Sequence, residues 1–149
     1  MYLIDTNLYI RAFHEDGFAA DFRAFHAAVL PRLALSAVVA HELLVGARTT
    51  RSERRLRQGL LAPFAARRRI LTPTLATWDT AAAVDRRLRR LRGYAASLRL
   101  RSFFHDILLA VTCRQVGATL VTDNARDFAL IRRVIEFRFV PPWPTPSGV

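Results

Sequence analysis

The fold is decided by two short stretches, Tyr2-Leu3-Ile4-Asp5-Thr6-Asn7 and Ala118-Thr119-Leu120-Val121-Thr122-Asp123. Each is an apolar run of strand length that ends in a polar turn containing an aspartate. Continuous apolar runs of this kind are typical of strands buried on both faces. Such strands belong to parallel sheets, so both stretches predict an α/β protein.

Further short strands alternate with amphipathic helices along the rest of the chain. The predicted strands are Leu33–Ser36, Arg69–Thr72 and Glu136–Val140. The predicted helices are Phe18–Val29, a helix capped by Ser36, Arg51–Ala66, Leu75–Leu98, a helix from Ser102 that Gly117 ends, and a short helix after Asp123. This alternation predicts a parallel sheet sandwiched by helices in three α/β/α layers. We expect residues 1–149 to form one domain, with 141–149 as an irregular, proline-rich tail.

The charge balance indicates a polyanionic or acidic partner. The chain has 149 residues and a net charge of +11, and all 23 of its basic residues are arginine. Arginine binds phosphate well because its planar guanidinium donates two parallel hydrogen bonds. The excess therefore favours nucleic acid, or an acidic protein that neutralises it.

Cysteine and hydropathy patterns favour a protein of the cytoplasm. Cys113 is the only cysteine, which excludes an internal disulfide and a cysteine-based zinc site. We find no targeting peptide, and runs such as Ile107–Val111 are far too short to span a bilayer. We therefore expect a soluble protein with no membrane partner.

Five acidic residues are placed where a parallel sheet would bring them together. Asp5 ends the first strand, Glu42 lies in the helix after the second strand, and Asp106 lies in the first turn of its helix. Asp123 and Asp127 follow a later strand. One interpretation is structural, with Asp5, Asp106 and Asp123 as helix N-caps or first-turn acids. The other is a metal site, since clustered carboxylates need a compensating cation and oxygen ligands select Mg²⁺ or Mn²⁺. Carboxylates with metal inside an arginine-rich protein would suit phosphodiester cleavage.

Other chemistries have less support. The six glycines are scattered and form no phosphate-binding loop. The four histidines, His14, His26, His41 and His105, share no metal-ligand spacing, although His41 and His105 neighbour candidate acids.

Four motifs, in order, resemble those of PIN-domain nucleases. They are Leu3–Asn7, Ser36–Leu43 with Gly46, Asp106–Ala110 and Ala118–Phe128, and Pro142-Trp143 is similar to the family's usual ending. Within the family, the chain most resembles the VapC-type toxins of bacterial toxin–antitoxin pairs. His105 departs from the pattern, because many relatives have asparagine before the third acid.

The resemblance implies a Mg²⁺- or Mn²⁺-dependent endoribonuclease. Position by position, Asp5, Glu42 and Asp106 match the family's first three acids. The fourth position is open among Asp123, Asn124 and Asp127. The implied catalytic set is Asp5, Glu42, Asp106 and Asp127, the implied metal ligands are Asp5, Asp106, Glu42 and Asp123, and the implied substrate or supporting residues are Thr6, Asn7, Asn124 and His105.

The resemblance also implies protein partners, namely a cognate antitoxin and a second copy of the chain. Phe13, Phe18, Phe22 and Phe25 supply more aromatic surface than one helix usually needs. Core packing is one interpretation of these side chains, and a surface masked by a partner helix is the other. Two further functions stay open here: a catalytically silent PIN-like module that binds RNA or protein, and a metal phosphohydrolase acting on small molecules.

Overall fold

The computed structural model describes residues 1–91 and 101–143. Its strands are β1 (Tyr2–Ile4), β2 (Leu35–Ser36), β3 (Ile70–Leu71), β4 (Thr119–Val121) and β5 (Arg138–Val140). Its α-helices are α1 (Thr6–His14), α2 (Asp16–Val29), α3 (Ala37–Gly46), α4 (Thr50–Leu56), α5 (Ala62–Ala66), α6 (Leu75–Leu88), α7 (Arg101–Val116) and α8 (Ala125–Arg132).

Every strand pairing is parallel, as the apolar runs predict. β4 lies between β1 and β5, and β2 pairs with β3. An isolated parallel bridge between Tyr2 and Leu33 sets these two groups side by side, so the strands follow the order β3, β2, β1, β4, β5. The carboxyl ends of β1, β2 and β4 therefore meet at one edge, where ligands bind in sheets of this type.

Local signals fix several helix ends. Ser36 caps α3 by accepting a hydrogen bond from the Val38 N–H. Thr49 and Thr74 each form a reciprocal capping box at the start of α4 and α6. Gly117 follows α7 with φ of +66°, the left-handed conformation that glycine adopts most easily and that the sequence predicted as a helix end.

Two predicted helices differ from those observed. The helix predicted over Arg51–Ala66 consists of α4, a π-helical turn at Arg57–Leu61, and α5. The helix predicted to reach Leu98 ends at Leu88, because the next backbone N–H groups turn back three residues, from Arg90 to Arg87 and from Leu91 to Leu88. The remainder of that prediction, including Gly93 and Leu98, lies outside the described residues.

The structure distinguishes core packing from a partner surface for the four phenylalanines near α2. Phe22 and Phe25 are buried, and Phe18 packs against the core. The Trp143 ring contacts all three, with centroid distances of 5.1 to 5.7 Å. The prediction of a masked aromatic surface is therefore wrong for these three side chains, because the end of the described chain covers them. Phe13 differs, since 54% of it is exposed.

The predictions about membrane spans, Cys113 and the C-terminal tail are compared with the structure here. No helix among the described residues is long and apolar enough to cross a membrane. Cys113 is a buried free thiol in the core. Of the predicted irregular tail, residues 141–143 have no regular structure and residues 144–149 lie outside the description.

Candidate metal centre at the carboxyl edge of the sheet

A cavity of about 280 Å³ opens at the carboxyl edge of the sheet. Its lining consists of Asp5, Thr6, Asn7, Ile10, Glu42, Ser102, Asp106, Asn124 and Asp127. Four of these are carboxylates that the sequence placed in one site, and they come from four separate regions of the chain. The parallel topology thus brings together residues that are far apart in sequence.

Asp5 lies where β1 passes into α1. Its Oδ1 accepts a hydrogen bond of 2.7 Å from the Thr6 N–H, so it is the N-cap of α1. Its Oδ2 accepts one of 2.7 Å from the Thr122 hydroxyl, just after β4. Burial raises the pKa of Asp5 to about 6, against the lowering effect of these two hydrogen bonds.

Glu42 is held at both carboxylate oxygens. The Thr6 hydroxyl donates to Oε2, and His105 Nδ1 lies 2.7 Å from Oε1. Thr6 therefore links Asp5 to Glu42, and His105 links Glu42 to α7. These contacts restrict rotation about the three side-chain bonds of Glu42 and so fix the orientation of its carboxylate.

Asp106 is the most perturbed carboxyl group of the cavity. Burial raises its pKa to about 8, and the charges of Asp5, Asp127 and Glu42 add to the effect. Its nearest polar partner is Asn124, whose Nδ2 donates to Asp106 at 3.4 Å and to Asp127 at 3.1 Å. An asparagine that bridges two carboxylates leaves most of their negative charge unbalanced.

The structure decides how far the helix-cap interpretation holds. Asp5 is an N-cap and also lines the cavity, so the two roles coexist. Asp106 is the sixth residue of the described α7, in its second turn, so the prediction of a first-turn acid is wrong. Asp123 does not cap α8, because Asn124 does. Capping therefore accounts for only one of the three aspartates.

Asp123 lies away from the cavity lining. Its Oδ2 accepts a hydrogen bond of 3.0 Å from Arg11, which also pairs with Glu15. The Thr122 hydroxyl takes the position beside Asp5, whereas Asp123 lies in the bend that follows and is exposed. Of the candidates for the fourth position, Asn124 and Asp127 line the cavity. Among the predicted supporting residues, Thr6 and Asn7 also line it, and His105 contacts Glu42.

Two residues that line the cavity were not predicted as site residues from the sequence. Ile10 is four residues after Thr6 on α1, and Ser102 is four residues before Asp106 on α7. Helical spacing from a predicted site residue was the signal that could have found both.

The donor set suits a hard divalent cation that keeps part of its water shell. All the polar side chains that line the cavity present oxygen atoms, and the carboxylates repel one another without a cation. Among residues 1–91 and 101–143, no three His, Cys, Asp or Glu side chains close around a single point.

The protein is of the α/β class, with a parallel sheet and an acidic site at the carboxyl ends of its strands. Within that class, the chain belongs to the PIN domain family, whose model matches residues 2–134. This confirms the family resemblance and the α/β/α sandwich of the sequence analysis. No curated protein sequence matches the chain significantly.

Solved structures with the same fold include a toxin–antitoxin complex from Klebsiella pneumoniae, which matches with a TM-score of 0.59 and 22% identity over 91% of this chain and 97% of that one. FitAB bound to a DNA fragment matches with a TM-score of 0.72 and 20% identity over 100% of both chains. DNA-bound VapBC from Salmonella typhimurium matches at 0.65 and 19%, covering 94% of this chain and 96% of that one. FitAcB from Neisseria gonorrhoeae matches at 0.65 and 24%, covering 96% and 99%. At these identities, the likeness establishes the fold.

The raised pKa of Asp106 predicts how the metal-free protein responds to pH. In the folded state burial raises the pKa of Asp106 to about 8, whereas in the unfolded chain the pKa has its ordinary value of 3.8. Folding is therefore favoured by this group below pH about 4, and the contribution is lost as pH rises towards 8. At 1.36 kcal/mol per pKa unit, the upper limit of this loss is about 6 kcal/mol.

Thermal unfolding in chelator between pH 5 and 8.5 tests this expectation. The melting temperature of the natural protein should fall relative to that of Asp106→Asn as pH rises, because asparagine does not titrate. A constant difference between the two proteins across this range would contradict the assignment.

Proposed function

We propose that the protein is a metal-dependent endoribonuclease that acts as the toxin of a toxin–antitoxin pair. The single observation that carries the proposal is the cavity in which Asp5, Glu42, Asp106 and Asp127 meet within a PIN fold. All three of the acids that match the family's first positions line it. A silent binding module would have no need to keep a buried Asp5 beside three half-buried carboxylates, since their mutual repulsion costs stability.

In this proposal Asp5 and Asp106 hold Mg²⁺ or Mn²⁺ directly, and Asp127 with Asn124 contacts its water shell or the substrate. A bound ion of this kind supplies a polarised phosphate and an activated water. Glu42, fixed by Thr6 and His105, would bind the ion through a water molecule or orient the attacking water. Asp123 has an outer role at most, because Arg11 already binds it.

A polymeric substrate is favoured over a small phosphate ester by the arginine distribution. Arg51, Arg54 and Arg55 are exposed on α4, and exposed arginines follow at the end of α6 and just beyond it: Arg86, Arg87, Arg89 and Arg90. Such faces hold a phosphate backbone over several nucleotides. We propose single-stranded or looped RNA, because its unstacked bases can enter a cleft.

The proposed partners are a cognate antitoxin and a second copy of the chain, both within the cytoplasm. A solved toxin–antitoxin complex from Klebsiella pneumoniae shares the fold. Large apolar side chains stay exposed on this chain, among them Leu75 at 78% and Trp78 at 48%. Exposed side chains of this size commonly mark protein interfaces.

The proposed function is tested by cleavage of RNA in the presence of Mg²⁺ or Mn²⁺ and its loss in chelator. We expect activity with either ion and none with excess EDTA, restored by adding the ion back. Co-expression with the product of the adjacent gene should yield a complex and suppress cleavage. Cleavage that persists in chelator would rule out the metal-dependent reaction, and metal-independent RNA binding without cleavage would favour the silent module.

His105 is expected to matter to metal binding only through its hydrogen bond to Glu42. In His105→Leu that bond is lost, and Mn²⁺ affinity should fall by about tenfold, as when groups that orient a ligand are removed. His105→Asn retains a donor near the position of Nδ1 and should stay within about twofold. Titration with Mn²⁺ followed by electron paramagnetic resonance measures both.

His41→Ala is the matched control for His105. Its ring lies 5.8 Å from that of His105, but His41 does not line the cavity among the described residues. We expect Mn²⁺ affinity to be unchanged in this variant. Equal weakening in His105→Asn and His105→Leu would argue against positioning by a hydrogen bond.

A further inference from the structure

One face of α1 continues outward from the cavity and carries two large apolar side chains. Thr6, Ile10 and Phe13 lie at intervals of four and three residues, so they share one side of the helix. Thr6 and Ile10 line the cavity. Phe13 lies about one helical turn, roughly 5 Å, beyond Ile10 along the axis. The face therefore runs from the carboxylates to open solvent.

The core does not use these two side chains. Ile10 is 43% exposed and Phe13 is 54% exposed, and neither belongs to the core or to the partly buried residues packed against it. The neighbouring aromatic groups have other contacts, since Phe18 lies against Trp143 and under the guanidinium of Arg11. No ring contact of Phe13 occurs within residues 1–91 and 101–143. Exposing an aromatic ring beside a polar cavity costs solvation free energy that a ligand could recover.

We propose that Ile10 and Phe13 form a ledge on which an unstacked base of single-stranded RNA rests, next to the phosphate held at the carboxylate cavity. This α1 ledge rests on the proposed function and adds to it a subsite for the neighbouring nucleotide. Continuity with the cavity carries the choice of occupant, because Ile10 belongs to both. Aromatic side chains stack on every base, so the subsite would favour unpaired RNA with little preference for sequence.

The geometry of a nucleotide suits this arrangement. Its phosphate is anionic and would lie with the cation at Asp5 and Asp106, whereas its base is flat and largely apolar on its faces. His14 is exposed and adjoins Phe13 at the end of α1, and Asn7 is exposed beside the cavity at the start of the helix, so each offers polar groups along the path of the strand. An apolar platform edged by polar side chains is the usual arrangement for unstacked bases.

Binding of two probes separates contact with bases from contact with the backbone. The first is a fluorescent 12-nucleotide RNA pool of random sequence, and the second is the same ribose-phosphate backbone without bases. Both are titrated by anisotropy with the full chain in Ca²⁺, which takes the same oxygen ligands. We expect Phe13→Ala to weaken binding of the first probe by about tenfold, in line with the loss of one base stack, and to leave the second unchanged.

Two further variants complete the comparison. Phe13→Trp retains a stacking surface and should bind the random pool at least as tightly as the natural protein. Val45→Ala removes a side chain that is 72% exposed on α3 and should alter neither affinity. These controls show whether the effect needs an aromatic ring at this place.

Several outcomes would overturn the ledge while leaving the proposed function intact. Unchanged affinity in Phe13→Ala, or equal loss for both probes, would exclude base stacking there. Weaker binding of the adjacent gene's product with unchanged RNA affinity would assign the face to a protein. The proposed function fails separately, if Asp106→Asn cleaves RNA as fast as the natural protein does.

Discussion

Asp106→Asn should abolish RNA cleavage while making the metal-free protein more stable. Asparagine keeps the size of the side chain but removes the charge that a hard cation requires, so cleavage should fall by about a thousandfold, equivalent to the several kcal/mol a metal ion contributes. Without metal, the variant no longer buries a carboxyl group surrounded by Asp5, Glu42 and Asp127. We expect a gain of about 2 kcal/mol at pH 7.5, or roughly 5 °C in melting temperature.

The opposite signs of the two effects make this prediction specific. A purely structural role would lower activity and stability together, because damage to the fold affects both. Asp85→Asn is the matched control, since Asp85 lies on α6 and pairs with the nearby Arg89. That variant should keep full activity, and its stability should change by less than about 1 kcal/mol. Near-normal cleavage by Asp106→Asn would refute the metal-nuclease proposal.

RNA affinity should fall steeply with salt, by about 100-fold between 50 and 200 mM for roughly five neutralised phosphates. The physical reason is the release of counterions from the RNA when arginines replace them. Exposed arginines on α4 and at the end of α6 are the expected contacts. Filter binding or anisotropy at several salt concentrations, in Ca²⁺ to prevent turnover, gives the slope.

A pair of variants on α4 tests which arginines carry that slope. Arg54→Gln with Arg55→Gln removes two exposed charges and should reduce the slope of log K against log salt by about 1.4. Arg57→Gln is the control, because Arg57 already pairs with Glu53 at 2.8 Å. In Arg57→Gln, the slope of log K against log salt should change by less than half of the change in the double variant. A slope near zero in the natural protein would mean that these faces do not bind RNA.

The sequence was most informative where one local rule decides a position. Asp5 follows an apolar strand, and parallel topology alone brings it to the edge shared with β4. The family motifs placed Glu42 and Asp106 at the same edge, and both line the cavity. Asp5 could be predicted because nearby sequence fixes the end of a strand, whereas Glu42 and Asp106 lie in the second turns of their helices and were found through the motifs alone.

Contacts between elements far apart in the chain could not be predicted from local sequence. The hydrogen bond from His105 to Glu42 spans 63 residues and depends on how α3 packs on α7. The position of Asp123 depends on the bend after β4, and its partner, Arg11, lies on α1, 112 residues away in sequence. Trp143 could not be assigned to the aromatic face of α2, because nothing local in the sequence sets the path of the chain after β5.

The hydrogen bonds from Thr122 to Asp5, from Thr6 to Glu42 and from His105 to Glu42 also constrain how this chain can evolve. The backbone of Thr6 joins the first to the second, so the bonds form one continuous series across β4, β1, α1, α3 and α7. Each side chain in the series is oriented by its neighbours, and replacement of one leaves another without its partner. Single replacements should therefore be disfavoured where paired ones are tolerated. Descendants of this sequence should change these positions together, and the effects of combined substitutions should not add.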